Sequence, residues 1–144
     1  MAFMRDTTVS ILEFVAIGFL AINAISFLVA LIAIPSLFRA FRSRDRGGTK
    51  GHVYAFTDWG QLLPVVKIGR AVDADQRLAA HKTAAPFGLL VFCVVAVRDD
   101  VLVERFLHDK YERWRISTRN EWFWLTPVML YELILMRLLF RSRQ

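Results

Sequence analysis

The chain has 144 residues, a hydrophobic fraction of 56% and a formal net charge of +6 at pH 7. A chain of this length has room for one small domain and an accessory segment, which excludes a multidomain enzyme. Because soluble domains contain about 45–50% apolar residues, part of this chain must be unusually apolar.

The unusually apolar segment lies near the N-terminus, between residues 14 and 34. It reads FVAIGFLAINAISFLVALIAI, with no charge and with Asn23 as its one strongly polar residue. At about 1.5 Å per residue, such a helix covers the roughly 30 Å hydrocarbon core of a bilayer. We therefore predict an N-terminal transmembrane anchor over 1–38. The alternatives are a cleaved signal peptide, which would have a more basic start, and a buried core helix, which would need a larger domain around it.

The distribution of charge predicts how this anchor is oriented. Only Arg5 precedes the apolar segment, whereas the residues that follow it are basic: Arg39, Arg42, Arg44, Arg46 and Lys50. Since Lys and Arg beside a span stay on the cytoplasmic side, we predict a single-pass cell-membrane protein with its N-terminus outside and the rest in the cytoplasm. Residues 39–50 are predicted to be a juxtamembrane linker that contacts anionic lipid.

The region that follows the linker has neither a strong charge nor a cysteine framework. Residues 51–126 contain ten basic and nine acidic side chains, so the overall positive charge is not a property of this region. Cys93 is the single cysteine of the chain, which excludes a disulfide framework or a Cys/His metal cluster and agrees with a reducing compartment.

Three strands and three helices are predicted beyond residue 50. HVYAF and PVVKIGR form two strands joined by the turn TDWGQLL, and GLLVFCVVAV forms a third, largely buried strand. Between them lies the helix VDADQRLAAHKTA, for which Asp73 is the N-cap and Gln76 completes a capping box. Asp99 caps the next helix.

The last segment, 127–144, is predicted to be an amphipathic or interfacial helix. Pro127 starts or interrupts it, and its apolar part contains Glu132 and Arg137. This part is too short to cross a bilayer, so a core or interfacial helix is the better interpretation. Arg137, Arg141 and Arg143 are then expected near the membrane surface.

Side-chain alternation places two polar residues on one face of the first two strands. If Val53, Ala55, Val66 and Ile68 face the core, Tyr54 and Lys67 are exposed together on the outer face. Arg77 and His81 lie four residues apart, on one face of the following helix. Arg70 lies at the mouth of the loop before that helix. A guanidinium group suits phosphate because its planar fork donates paired hydrogen bonds.

A carboxylate would complete a site for phosphodiester hydrolysis, since a hard cation held by carboxylate oxygen neutralises the developing charge. Glu121, in TRNEWFW near the start of the last helix, is the candidate. Each of these residues alone also has an ordinary structural interpretation: a packing aromatic, a solvated surface charge or a helix-end carboxylate. The hypothesis rests on their order and spacing together.

That order resembles the GIY-YIG nuclease superfamily, specifically its phage-associated branch in which the second motif reads K-I-G. The matching residues are VY, KIG, an arginine ten residues after the lysine, a histidine four residues later, and EWF, over roughly 51 to 126. His52-Val53 stands where the first motif has Gly-Ile, with Gly51 one residue earlier, and Lys67 replaces the tyrosine of the second motif.

The resemblance implies an α/β domain over 51–126, with a small three-stranded, mostly antiparallel sheet flanked by helices, that cuts DNA with one divalent metal. Tyr54 then corresponds to the tyrosine of the first motif, Gly69 to the glycine of the second, and Arg70 to the basic residue after it. Arg77 corresponds to the arginine that steadies the scissile phosphate, and His81 to the residue that shares its helix face. Glu121 corresponds to the metal ligand, with Mg²⁺ or Mn²⁺ as the cofactor.

Two further positions take roles from this resemblance. The run ERFLH makes His108 an additional substrate-binding candidate. Lys67 is expected to bind phosphate and not to act as a base, because lysine is ordinarily protonated at neutral pH.

Together these observations predict a membrane-tethered, metal-dependent DNA endonuclease with a phage-borne or anti-phage role. One alternative is a non-catalytic membrane or virion component that uses the same fold to bind DNA or protein, with a second copy or another membrane protein as partner. Another is a small membrane scaffold, in which Tyr54, Arg77 and Glu121 would lie far apart.

Overall fold

The computed structural model describes residues 2–44, 48–58, 65–85, 87–116 and 121–141. Most of the predicted turn over 57–63 lies outside these residues, and so do Arg46 and Arg143. Among the described residues are four α-helices, four strands and one short 3-10 helix. In chain order they are α1 Ala2–Arg44, β1 Gly51–Asp58, β2 Val65–Ala71, α2 Ala74–Ala84, β3 Leu89–Val97, α3 Asp100–Lys110, the 3-10 helix Glu112–Trp114, β4 Trp122–Trp124 and α4 Pro127–Arg141.

The four strands form one antiparallel sheet in the order β3-β1-β2-β4. The α/β class is confirmed, but the predicted number of three strands is wrong. The fourth strand is only three residues long and pairs with Val65, Val66 and Lys67 of β2. So short a strand has no measurable period of its own. Because this strand was not predicted, the sequence placed Glu121 near the start of the last helix. In the structure Glu121 immediately precedes β4.

One face of the sheet carries the hydrophobic core. Val53, Ala55, Val66 and Ile68 are all buried in it, which confirms the predicted alternation. This face packs against α3 and α4, which contribute four fully or almost fully buried side chains: Val103, Leu107, Leu133 and Met136. The side chains of Tyr54 and Lys67 therefore lie on the opposite face, as predicted.

Both helix starts that the sequence predicted are confirmed. The Asp73 carboxylate accepts a hydrogen bond from the backbone N–H of Gln76 (2.9 Å), which caps α2. Asp99 accepts one from the N–H of Leu102 (3.0 Å), which caps α3. Such caps are worth about 1 kcal/mol each, and the first one fixes the residue at which α2 begins.

The N-terminal helix has the length and composition of a membrane span. Its segment Leu12–Ala40 contains an 18-residue stretch with a mean hydropathy of 2.6, and 11% of that stretch is buried in the protein. The helix continues without interruption to Arg44, so no helix end marks residue 38. Its second half packs against α4, which begins at Pro127.

Candidate active site

Tyr54 and Gly69 lie opposite each other in the pairing of β1 with β2. A Cβ atom on Gly69 would stand 2.7 Å from the Tyr54 hydroxyl, so the absence of a side chain leaves the space that the phenol occupies. Tyr54 is only 1% exposed, which corrects the prediction of an exposed tyrosine. The reason is that α2 covers this face, a tertiary contact that strand alternation does not reveal.

Arg77 and His81 project from α2 over Tyr54. The positive charge of Arg77 acts on the Tyr54 hydroxyl and works against the rise in the pKa of that phenol. The His81 ring lies 6.4 Å from the ring of Tyr54 and 4.9 Å from that of Phe56, centroid to centroid. Because Arg77 and His81 lie on one face of α2, as predicted, both reach Tyr54 of β1.

Burial sets the protonation states of two of these groups. Desolvation raises the pKa of Tyr54, although Arg77 partly opposes the shift, so the side chain is a neutral phenol at neutral pH. Desolvation lowers the pKa of His81, and the charges of Lys67 and Arg77 act in the same direction. Its buried Nε2 has no hydrogen-bond partner among the described residues. His81 is therefore neutral and has a ring nitrogen that can take up a proton.

Lys67 and Glu121 form an ion pair at the edge of the same face. Lys67 Nζ lies 3.3 Å from Glu121 Oε2, with 16% of the lysine side chain and 47% of the glutamate side chain exposed. The N–H of Ile68 donates to the Glu121 carbonyl (3.0 Å), just beyond the last residue of β2 that pairs with β4. The backbone of Glu121 is thus fixed against the sheet.

Five of the eight predicted residues consequently come together on one face. The charge of Glu121 acts on Tyr54, Arg77 and His81, which places its carboxylate within electrostatic range of all three. Gly69 contributes the space for Tyr54. The residues that meet are Tyr54, Lys67, Arg77, His81 and Glu121.

Arg70 is engaged by two carboxylates. Its Nε lies 3.0 Å from Glu104 Oε2 and its Nη1 lies 3.2 Å from Asp100 Oδ2. Asp100 is fully buried, and its hydrogen bond is the main cause of the raised pKa of Arg70. Arg70 therefore joins β2 to α3, and its charge is largely neutralised within the protein.

His108 also has a partner in the backbone of β2. Its Nε2 lies 3.0 Å from the Ile68 carbonyl, and its ring packs 5.1 Å from that of Phe123. Because a carbonyl only accepts, Nε2 must carry the proton. His108 thus stabilises the edge of β2 beside Glu121.

Glu104 is a polar residue of this region that sequence reasoning did not select. It is half-buried, and its desolvation raises its pKa, while its interactions with His108 and Arg70 oppose the shift. Its spacing of four residues from His108 in ERFLH places both on one face of α3 and was the available signal.

The metal-binding role predicted for Glu121 requires a site built from few protein ligands. The part of the chain that the structure describes has no group of three or more His, Cys, Asp or Glu side chains able to hold a metal. Mg²⁺, however, often takes one or two carboxylates and completes its shell with water and substrate phosphate oxygens. The half-exposed Glu121 carboxylate fits that mode, with Lys67 as a neighbouring cation at one of its oxygens.

Comparison with known proteins identifies the region that carries these residues. No curated protein and no solved structure shows significant similarity to the chain. A family model, the T5orf172 domain, matches residues 51–136, which include the four described strands and all the residues of the candidate site. The chain therefore belongs to the T5orf172 domain family.

Proposed function

We propose that this protein is a membrane-tethered DNA endonuclease that requires a divalent metal. The observation that carries the proposal is the meeting of Tyr54, Arg77, His81 and the Lys67–Glu121 pair on one face of the sheet. T5orf172 is a phage-associated domain that is often linked to nucleases, which supports a DNA substrate and a phage-related role. The GIY-YIG-like order of the motifs is consistent with this assignment.

Each side chain has a role that its environment supports. Arg77 has an exposed guanidinium and would bind the scissile phosphate, with Lys67 supplying a second positive charge. Tyr54 would orient the reacting groups as a hydrogen-bonding phenol, since its raised pKa opposes ionisation. His81 is neutral and would accept the proton of the attacking water.

The metal would be held by Glu121. Bound there, a Mg²⁺ or Mn²⁺ ion would supply charge stabilisation for the phosphate oxygens. The rest of its coordination shell would come from water and from the DNA itself.

The N-terminal helix would supply the tether. The basic residues that follow its apolar segment favour an outer N-terminus and a cytoplasmic domain. A nuclease held there would act on DNA close to the inner membrane surface, which suits the exclusion of incoming DNA or its processing.

The test is cleavage of duplex DNA by the full chain in detergent micelles, with Mg²⁺, with Mn²⁺ and with a chelator. We expect cleavage only with metal, and a loss of about 100-fold or more in Arg77→Ala, as for other groups that stabilise charge in a transition state. Glu121→Gln should be inactive. Arg105→Ala and Glu112→Gln are matched controls because both change exposed side chains that are not among the candidate site residues, although the Glu112 change also removes an ion pair with Arg115.

Two results would contradict the proposal. One is cleavage that continues in the chelator. The other is equal activity of Arg77→Ala and Arg105→Ala, which would assign the cleavage to a contaminant.

The alternative is a non-catalytic component that binds DNA or protein through the same fold. It is favoured by the near-neutral charge of 51–126 and by the neutralisation of Arg70 within the protein. Binding affinity measured at increasing salt concentration distinguishes a DNA partner from a protein partner, since phosphate contacts predict a steep decrease in affinity as salt rises. A salt-insensitive complex without cleavage would indicate a protein partner.

A further inference from the structure

The two tryptophans of β4 lie on the outer face of the sheet. Phe123, between them, is fully buried in the core, so alternation along the strand turns Trp122 and Trp124 toward the opposite face. Trp122 stands opposite Lys67 in the pairing of β4 with β2, and Trp124 stands opposite Val65. Both tryptophans therefore lie on the face of the candidate active site, in the strand next to Lys67.

Trp122 packs against the candidate site, whereas much of Trp124 is open to solvent. The centroid of the Trp122 ring lies 5.9 Å from Lys67 Nζ and 6.0 Å from the centroid of the Phe56 ring, which it meets edge-on. Trp124 is 49% exposed. Residues two positions apart on a strand are separated by about 6.6 Å, so one DNA strand could contact both Lys67 and Trp124.

The segment beside β4 adds an apolar neighbour to these rings. Arg115 and Phe123 form an antiparallel bridge, and the N–H of Ile116 donates to the Trp122 carbonyl (3.0 Å). Ile116 is therefore opposite Trp122, and opposite residues of an antiparallel pair share a face. Ile116 is 45% exposed. The tryptophan patch is defined as Ile116, Trp122 and Trp124.

The N-terminal helix and the tryptophan patch lie on opposite sides of the sheet. α1 packs mainly against α4, which covers the core face. There the Tyr131 hydroxyl donates to Asn23 Oδ1 (3.1 Å), and the centroids of the Phe38 and Phe140 rings lie 5.2 Å apart. Contacts of α1 with the domain therefore leave the face of the patch accessible.

The charge of the domain does not favour DNA binding by phosphate contacts alone. Residues 51–126 contain ten basic and nine acidic side chains, and the charge of Arg70 is neutralised by two carboxylates. At the candidate site the positive charges that remain for phosphate are those of Arg77 and Lys67. Tight binding through the backbone of a duplex takes several phosphate contacts. Affinity for DNA therefore needs a second source.

Stacking of bases on aromatic side chains supplies such affinity in proteins that bind single strands. Each stacked base strengthens binding by about 5- to 100-fold and with little regard for sequence, because every base has a π face. A base inside a duplex has both faces covered by its neighbours, whereas an unpaired base has a free face. The open ring of Trp124 is therefore suited to an unpaired base.

We propose that the tryptophan patch binds an unpaired base of the DNA strand next to the scissile phosphate. Trp124 is the stacking residue, while Lys67 and Arg77 bind the phosphate. The preferred substrate of the nuclease is then DNA that is single-stranded at the cut. This inference rests on the proposed function, because the phosphate site brings the strand to the patch.

Binding of two strands that differ only in their bases tests the proposal. The probes are a fluorescently labelled thymidylate oligonucleotide and a strand of equal length made of abasic deoxyribose phosphates, which has the same charge but no bases. Affinity is measured by fluorescence anisotropy for the full chain in detergent micelles. A chelator is present, so that metal-dependent cleavage does not occur.

Trp124→Ala, Trp124→Phe and Phe87→Ala are compared with the native chain. Phe87→Ala is the matched control, because Phe87 is 72% exposed and precedes β3, at the opposite edge of the sheet from β4. We expect Trp124→Ala to weaken binding of the thymidylate strand by about 5- to 100-fold and to leave binding of the abasic strand unchanged. Trp124→Phe should retain most of the affinity, and Phe87→Ala should bind as the native chain does.

Several results would overturn the proposal. One is equal affinity of Trp124→Ala and Phe87→Ala for the thymidylate strand, and another is a native chain that does not bind this strand. A loss of the same size on both strands would indicate a backbone contact or a folding defect. A dimer that dissociates in Trp124→Ala, with DNA affinity unchanged, would assign the patch to a second copy.

Cleavage assays separate this inference from the proposed function. Metal-dependent cleavage without base-dependent binding would leave the nuclease and remove the base-binding site. Base-dependent binding at Trp124 without metal-dependent cleavage would keep the base-binding site and reject the nuclease.

Discussion

Replacement of Gly69 by alanine is the sharpest perturbation of the candidate site. The new Cβ would stand 2.7 Å from the hydroxyl oxygen of Tyr54 and 2.9 Å from its Cζ atom, well inside van der Waals contact. The ring of Tyr54 cannot easily retreat, because it is buried and stacked at 5.7 Å on that of Phe56. Overpacking of this kind costs about 1–3 kcal/mol.

Thermal unfolding in one detergent measures the effect. At about 4 °C per kcal/mol, Gly69→Ala should lower Tm by roughly 4–12 °C. Gly18→Ala is the matched control, since a Cβ there would meet nothing within 4 Å. We expect DNA cleavage to decrease as well, because the displaced hydroxyl leaves the position in which it interacts with Arg77.

A double variant identifies the clashing atom. In the Tyr54→Phe background the nearest oxygen is absent, so Gly69→Ala should cost less there, by about 0.5 kcal/mol or more. An unchanged Tm for Gly69→Ala, or an identical cost in both backgrounds, would refute the account of Tyr54 lying across Gly69.

Three further predictions follow from burial and capping. Burial lowers the pKa of His81 below its ordinary 6.5, so the unfolded chain binds a proton more readily than the folded one. The stability that neutral His81 contributes is therefore complete above pH 6.5 and is lost as the pH falls below it. Unfolding measured against pH should show this dependence in the native protein and not in His81→Phe. Burial raises the pKa of Cys93 to about 12, so a maleimide should modify it only in denaturant, and rapid modification of the folded chain would contradict its burial. Asp73→Ala should destabilise the protein by about 1 kcal/mol in denaturant unfolding, because the α2 cap is lost. Asp75→Ala, in the first turn of the same helix and without that hydrogen bond, should cost less.

The sequence was sufficient for features that depend on local periodicity and spacing. Alternation assigned Val53 and Ile68 to the core, and the caps at Asp73 and Asp99 followed from residue type and position. The helical spacing of Arg77 and His81 was enough to place both on one face, where the structure brings them to Tyr54.

The features that the sequence did not predict depend on contacts between distant segments. Burial of Tyr54 comes from α2 lying over the sheet, and the role of Arg70 comes from carboxylates thirty or more positions away on α3. The fourth strand exists because Trp122–Trp124 pair with β2, and three residues are too few to show a pattern. No local rule contains such information.

The packing of Leu37 shows that the folded core is larger than the segment that defines the family. The family model spans 51–136, yet Leu37 of α1 belongs to the buried core and Phe140 of α4 packs against that core. A fragment that begins after α1 would leave the side of α4 that carries Tyr131 and Phe140 exposed to water, as an apolar surface of the kind that promotes aggregation. Biochemical work on this domain therefore calls for the whole chain, kept soluble by detergent or lipid, because what resembles a detachable leader also completes the interior of the protein.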